Sequence, residues 1–114
     1  MAVEKWSQQI WIAHLANEPT LSEDLTALKL EIDQAAPHPN VIYDLSQVEL
    51  LTSSNISQLL RLRKQAVDHD VKMRLVAISN AVWVVFLTTG LDKVFNFATD
   101  VSTALAGLKM DESV

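Results

Sequence analysis

Short apolar runs alternate with segments of helical periodicity along this 114-residue chain, and this alternation strongly limits its possible folds. The strand-like runs are residues 9–15, 41–43, 73–78 and 93–97, and residues 2–6 are a short hairpin partner for the first. The segment before Pro37 carries one apolar helical face, formed by Leu21, Leu25, Leu28 and Ile32. Such alternation predicts an α/β fold with right-handed crossovers. We expect a mixed, mainly parallel sheet of four to five strands with about four helices packed on it.

The second helix is predicted to begin near Ser54 and to end near Asp68, after a strand-like stretch at residues 48–51. Its predicted inner arc contains Arg63, whose stem could pack while its guanidinium reaches water. The apolar members of that arc are Ile56, Leu59, Leu60, Ala66 and Val67. The last helix has a predicted inner stripe of Val101, Leu105 and Leu108.

Residues 81–87 are rich in β-branched and aromatic side chains, which favours a strand by propensity alone. Asn80 is a good N-cap, however, and Gly90 is a good helix terminator. The flanking residues therefore predict a short third helix. Its apolar side chains would point in every direction, so one face would meet the sheet and the other a partner. Trp83 is the main interface candidate.

Charge and composition exclude several classes of function. The chain has 14 acidic and 9 basic residues, a formal charge of −5, which disfavours nucleic acid or an anionic membrane surface as partner. It has no cysteine and therefore no disulfide. Its longest strongly apolar run, residues 81–87, is far short of the roughly 20 residues of a membrane span. We expect one cytoplasmic domain over residues 1–114.

No catalytic constellation is evident in the sequence. A nucleophilic serine needs a histidine and an orienting carboxylate, but His14, His38 and His69 lie in no recognisable motif. With only two glycines the chain cannot form a glycine-rich phosphate loop, and no ligand spacing fits a metal. We therefore expect no enzyme activity, no cofactor and no metal. A small α/β enzyme or ligand-binding protein is the less favoured alternative.

The polar run Thr52-Ser53-Ser54-Asn55 opens the second helix and has two interpretations. A hydroxyl here could simply cap the helix by accepting a hydrogen bond from a free backbone amide. Alternatively, an exposed hydroxyl at a helix N-terminus is a place where free amides would stabilise an added phosphate. Farther along the helix, Arg61 and Lys64 are either a solvated face or, beside Ser57, a contact for an acidic partner.

Five segments occur in an order that is specific as a set. They are I-Y-D-L-S at residues 42–46, L-T-S-S-N-I at 51–56, R-L-R-K at 61–64, L-V-A-I-S-N-A-V at 75–82 and T-G-L-D-K-V-F at 89–95. In this order they resemble the STAS domain family of bacterial anti-sigma factor antagonists. The resemblance implies a STAS-like fold and a helical conformation for residues 81–87.

The resemblance also implies a mechanism. In this family the first serine of a D-S-S-G motif is phosphorylated by a partner kinase that is itself the anti-sigma factor, and Ser53 occupies that position. The domain would then be a binder and substrate, with its contact surface at the second helix and the loops beside it. The partner-binding candidates are Glu18, Asp44, Thr52, Ser54, Asn55, Ser57, Arg61 and Lys64.

The chain departs from the family pattern at Thr52, where the family has aspartate, and at Asn55, where it has glycine. These departures favour an alternative function as a non-phosphorylated scaffold or oligomerising module. In the third helix Trp83, Val84 and Leu87 replace positions that are commonly charged in relatives. This replacement indicates an additional protein contact, with self-association into a homo-dimer or oligomer as the simplest form.

Overall fold

The computed structural model describes residues 1–112, with side chains described up to residue 110. Its strands are β1 (Ala2–Lys5), β2 (Ile10–Ala16), β3 (Asn40–Gln47), β4 (Met73–Val76) and β5 (Phe97–Ala98). Its helices are α1 (Thr20–Gln34), α2 (Ser53–Asp68), α3 (Asn80–Thr89) and α4 (Val101–Glu112), with one 3₁₀ turn at Leu91–Lys93. None of these helices is long and apolar enough to cross a membrane. The predicted α/β fold is confirmed.

The five strands form one sheet in the order β1-β2-β3-β4-β5. The β1–β2 pair is an antiparallel hairpin, as expected from the short loop between them, and the other three pairs are parallel. Each parallel connection passes through one helix or a helix and a 3₁₀ turn. Because the crossovers all advance in one direction across the sheet, α1, α2 and α3 lie together on the same face.

Alternating strand residues divide the core between the two faces of the sheet. Trp11, Tyr43 and Leu75 belong to a large cluster that also holds the buried side chains of α1, α2 and α3. Ile12, Ile42 and Val76 point to the other face, where Ala104 and Leu108 of α4 cover them. The sheet is therefore the middle layer of three, with one helix behind it and three helices in front.

Several predicted boundaries shift in the structure. β3 continues past Asp44 to Gln47 because parallel pairing with β2 extends that far. Residues 48–51 form no strand, since the backbone amides of Glu49 and Leu50 donate to a side chain, Asn17 Oδ1, instead of a neighbouring strand. The strand predicted at residues 93–97 is reduced to Phe97–Ala98, because the chain after Gly90 first winds into the 3₁₀ turn.

The predicted inner arc of α2 is also partly wrong. Leu59 is buried as expected, but Leu60 and Val67 are 37% and 63% exposed. The residues buried in their place are Asn55, Leu62 and Gln65. The helix is thus rotated so that two polar side chains face α1, where each of them finds hydrogen-bond partners.

Residues 81–87 are helical, as the flanking residues predict. The N-cap of α3 is Ser79, one residue earlier than expected, and its side chain accepts a hydrogen bond from the Val82 amide at 3.3 Å. Gly90 ends the helix in the left-handed region with φ 75°, a conformation that glycine adopts without a steric penalty. Local capping therefore overrides the strand propensity of this segment.

Candidate functional site

The candidate site lies where α2 begins, next to the loop that joins β2 to α1. β2 and β3 are parallel neighbours, so the loops that leave their carboxyl ends meet at one edge of the sheet. Two side chains tie these loops together. Asn17 Oδ1 accepts hydrogen bonds from the Glu49 and Leu50 amides at 2.7 and 3.4 Å, and Asn55 reaches from α2 to Ser22 of α1.

Thr52 and Asn55 cap the first turn of α2 reciprocally. The backbone amide of Asn55 donates to Thr52 Oγ1 at 3.1 Å, and the backbone amide of Thr52 donates to Asn55 Oδ1 at 3.0 Å. This arrangement is a capping box in which asparagine takes the place usually held by glutamate or glutamine. The two positions that depart from the family pattern therefore act together as one structural unit.

Because Thr52 and Asn55 cap the helix, the hydroxyls of the two serines between them are not needed for capping. Ser53 and Ser54 are both exposed, and within the described residues neither hydroxyl has a hydrogen-bond partner. Both serines belong to the first turn of α2, where backbone amides have no partner within the helix. The capping interpretation thus applies to Thr52, and Ser53 presents a free hydroxyl at the positive end of the helix dipole.

Asn55 is fully buried, so it is a structural residue of the site and presents no surface for the partner contact predicted from the sequence. Its Nδ2 donates to Ser22 Oγ at 3.3 Å and to Gln58 Oε1 at 3.4 Å. Gln58 in turn donates to the Ser22 carbonyl oxygen at 2.9 Å. These bonds fix the start of α2 against the start of α1.

Glu18 is exposed, but its carboxylate is engaged within the chain. It accepts hydrogen bonds from Ser22 Oγ and from the Ser22 amide, both at 2.6 Å. These two bonds lower the pKa of Glu18 below its usual range, so the side chain is ionised at neutral pH. Glu18, Ser22 and Asn55 consequently form one continuous chain of hydrogen bonds that ends at the cap of α2.

A polar depression lies beside Ser53, between the starts of α1 and α2. Its lining consists of Ser22, Ser53, Ser54, Ser57, Gln58 and Arg61. Ser57 and Arg61 are exposed, and within the described residues the Arg61 guanidinium has no hydrogen bond or ion pair. Lys64, in contrast, pairs with Asp68 at 2.7 Å. The depression therefore presents several hydroxyls and one unpaired cation to a partner.

Asp44 is not brought into this depression. It shares a face of β3 with Ile42, the face covered by α4, whereas α2 lies on the opposite face. There Asp44 Oδ2 accepts a hydrogen bond from His14 Nδ1 at 2.7 Å, and Asp44 Oδ1 accepts one from the Ser46 amide at 3.0 Å. Asp44 is therefore engaged in the sheet, away from Ser53.

The histidines do not form a catalytic site with Ser53. His14 is paired with Asp44 on the far face of the sheet. His38 and His69 stack on one another with ring centroids 3.5 Å apart, at the carboxyl ends of α1 and α2. Ser53 begins α2 at the other end of the helix, so none of these imidazoles is positioned to take its proton. Among the residues with described side chains, no group of three metal-ligating residues is assembled either.

The exposed face of α3 is the second candidate surface. Val84 and Leu87 are 53% and 47% exposed. Trp83 is partly buried instead, and its ring packs edge-on against Phe97 with centroids 5.0 Å apart. The helix carries no charged residue between Asn80 and Thr89. Val84 and Leu87 are thus the accessible residues of the predicted contact, whereas Trp83 packs mainly against the core.

Asn17, Ser22 and Gln58 are site residues that the sequence interpretation missed. Each forms a hydrogen bond with a residue more than 30 positions away in the sequence: Asn17 with Glu49, Ser22 with Asn55, and Gln58 with Ser22. Ser22 and Gln58 are ordinary polar residues at partly buried helical positions. Only the position of Asn17, directly after a strand, was a local signal for a turn.

Comparisons with known proteins identify the family of the chain and agree with its fold. The family model for the STAS domain matches residues 6–104. A search of curated proteins finds no match. Among solved structures, the anti-sigma-factor antagonist (STAS) domain protein from Planctomyces limnophilus is similar to this chain with a TM-score of 0.80 and 23% identity. That match covers 95% of this chain and 97% of the other.

Two further solved structures share the fold. A structure of the stressosome, described as a signal integration and transduction hub, matches with a TM-score of 0.79 and 19% identity over 99% of this chain and 100% of the other. The Bacillus cell fate determinant SpoIIAA in its phosphorylated form matches with a TM-score of 0.69 and 15% identity over 94% and 97% of the two chains. The chain belongs to the STAS domain family.

Proposed function

We propose that this STAS domain is a regulatory protein that binds a kinase-type anti-sigma factor and is released when that kinase phosphorylates Ser53. The observation that carries the proposal is the free, exposed hydroxyl of Ser53 in the first turn of α2. The similarity to an anti-sigma-factor antagonist and to a phosphorylated STAS protein supports the same mechanism. In this function the domain is a binder and a kinase substrate, not an enzyme.

The capping box makes Ser53 available. If a serine capped α2, phosphorylation would break a hydrogen bond that holds the helix. Here Thr52 and Asn55 make those bonds, so Ser53 is free to accept a phosphate while α2 keeps its first turn. The free amides and the dipole at this end of the helix would stabilise the added charge.

Release follows from electrostatics. A phosphate adds about −1.5 to −2 charges near neutral pH. The unmodified chain already carries a formal charge of −5, but three of its nine basic residues, Arg61, Arg63 and Lys64, lie on α2. An acidic partner attracted to that basic segment would meet a strong negative charge at Ser53 after phosphorylation. Such repulsion accounts for dissociation without any change in the fold.

The proposal is tested by incubating the protein with ATP and the kinase-type anti-sigma factor of the same genome, followed by intact-mass measurement and peptide mapping. We expect one phosphate, on Ser53. Ser53→Ala should gain none, and the matched variant Ser54→Ala should gain one phosphate as the wild type does. A phosphate on Ser54, or no phosphate on the wild type, would overturn the assignment.

A second candidate function, an oligomerising module, is favoured by the α3 surface. Two copies of a chain with a formal charge of −5 repel one another, so self-association needs a contact face without charge. α3 offers such a face, with Val84 and Leu87 exposed at its centre. The fold that this chain shares with the stressosome structure is consistent with assembly. This function does not require phosphorylation and can coexist with partner binding.

A further inference from the structure

The outer surface of α2 carries a straight ridge of five residues spaced as in a coiled-coil seam. Ser53, Ser57, Leu60, Lys64 and Val67 follow one another at intervals of four, three, four and three. This spacing places all five on one side of the helix. The side is the exposed one, because the buried residues of α2 are Asn55, Leu59, Leu62 and Gln65.

The ridge divides into two halves of different chemistry. Its first half consists of the small polar side chains of Ser53 and Ser57, which would let another backbone approach closely. Its second half presents Leu60 and Val67, which are 37% and 63% exposed. From Ser53 to Val67 the ridge is about 21 Å long, the length of a helix of roughly four turns.

Basic side chains flank the apolar half of the ridge. Arg61 lies on the side toward α1, where it lines the polar depression and has no partner among the described residues. Arg63 lies on the opposite side, where its Nε donates to the Val94 carbonyl oxygen at 3.0 Å. Among the residues with described side chains, Lys64 on the ridge pairs with Asp68 alone, and its side chain is 77% exposed. Such an exposed pair within a helix is easily exchanged for a pair with a partner.

We infer that the partner contacts this ridge with an amphipathic α-helix whose apolar stripe covers Leu60 and Val67 and whose flanks are acidic. Helices pack side by side through seams of this period, and the charges beside the seam select the partner. The inference rests on the proposed function and defines the chemistry of the partner surface. The occupant is a helix of the anti-sigma factor, because a second copy of this chain would bring the same basic flanks together.

This geometry places Ser53 at one end of the same seam. A phosphate there would lie in the path of the docked helix and next to its acidic flank. The apolar half of the ridge would then provide the binding affinity, and phosphorylation in the serine half would cause release of the partner. Substitutions in the two halves should therefore affect different steps, binding in one case and phosphorylation-dependent release in the other.

The test measures affinity of the purified full-length protein for the purified anti-sigma factor by titration calorimetry. Leu60→Asp and Val67→Asp should each weaken binding more than tenfold, since a carboxylate would enter the apolar stripe. Leu30→Asp is the matched control, because Leu30 is a 60% exposed leucine on α1 outside the ridge, and it should bind as the wild type does. Arg61→Glu should weaken binding at least as much at low salt and less at high salt.

Circular dichroism and a melting curve establish that each variant is folded, and all of these positions are exposed in the free chain. Absence of binding by the wild type would overturn both the proposed function and this inference. If the wild type binds while Leu60→Asp and Val67→Asp behave like Leu30→Asp, the ridge is not the docking surface, although the switch at Ser53 would stand. Weaker binding by the two ridge variants alone supports the inference.

Discussion

Thr52 and Asn55 each hold the backbone amide of the other, at 3.1 and 3.0 Å, across the first turn of α2. Asn55 is also fully buried, whereas Thr52, Ser53 and Ser54 are exposed, and its side-chain amide extends to Ser22 and Gln58. One residue therefore joins the cap of α2 to its packing against α1. The exposed Ser53 therefore lies on a first turn of α2 that is capped and held against α1.

We predict that Asn55→Ala lowers the free energy of unfolding by about 1–3 kcal/mol. The variant loses one capping bond and leaves polar neighbours at a buried position without their partner. Chemical denaturation of the two proteins measures the difference. Ser54→Ala is the matched control, because its hydroxyl is exposed and unpaired within the described residues, and it should stay within about 0.5 kcal/mol of the wild type. Equal stability of both variants would contradict a structural role for Asn55.

The pairing of His14 with Asp44 predicts a pH dependence. The hydrogen bond that His14 donates to Asp44 is the main cause that raises the pKa of His14, and Glu4 adds to it. Partial burial by itself raises the pKa of Asp44, but bonds from the Ser46 amide and His14 outweigh it and lower the pKa overall. Both groups are therefore charged throughout the pH range between about 3.9, the usual pKa of an aspartate, and about 6.5, the usual pKa of a histidine.

The sign of the effect follows from these two shifts. Because the folded-state pKa of His14 is raised, its contribution to stability is fully present below about pH 6.5 and is lost as the pH rises through the folded pKa. The stability difference between wild type and His14→Gln should therefore shrink as the pH rises from 6 to 9. An NMR titration of the imidazole provides the direct check. In Asp44→Asn the pKa of His14 should fall, and an unchanged value would show that Asp44 is not its cause.

The sequence predicts those features of the fold that depend on neighbouring residues, and it misses those that depend on contacts between residues distant in the sequence. The helical face of α1 and the Gly90 stop are local patterns, and the structure matches both. The rotation of α2 was missed because the apolar side chains of this helix form one broad arc, and the buried face is displaced toward one edge of that arc, so hydrophobicity alone could not set it. Asn55 and Gln65 decide that face, through hydrogen bonds to α1 residues more than 30 positions away. The docking ridge became visible only once this rotation was known.

The uncharged face of α3 leads to a prediction about association. Val84→Asp and Leu87→Asp should each shift a self-associating wild type toward the monomer by at least tenfold in dissociation constant, because each puts a carboxylate into an apolar contact. Light scattering over a range of concentrations measures the mass. Trp83→Ala is a poor probe, since Trp83 also packs on Phe97 in the core. A wild type that stays monomeric, or aspartate variants that associate as it does, would count against this surface.

The two glycines of the chain provide a final pair of opposite predictions. Gly90 ends α3 with φ 75°, and a Cβ added there would meet no atom within 4 Å. Gly90→Ala should therefore destabilise through backbone strain alone, by about 1–2 kcal/mol.

Gly107 lies inside α4 without a positive φ, and a Cβ added there would also meet no other described residue within 4 Å. Gly107→Ala should stabilise by about 0.5–1 kcal/mol, because alanine loses less backbone entropy in a helix. Thermal unfolding of both variants measures the two shifts. Because neither substitution creates a close contact, an unchanged or raised stability of Gly90→Ala would contradict backbone strain at Gly90, and a lowered stability of Gly107→Ala would contradict the entropy argument for α4.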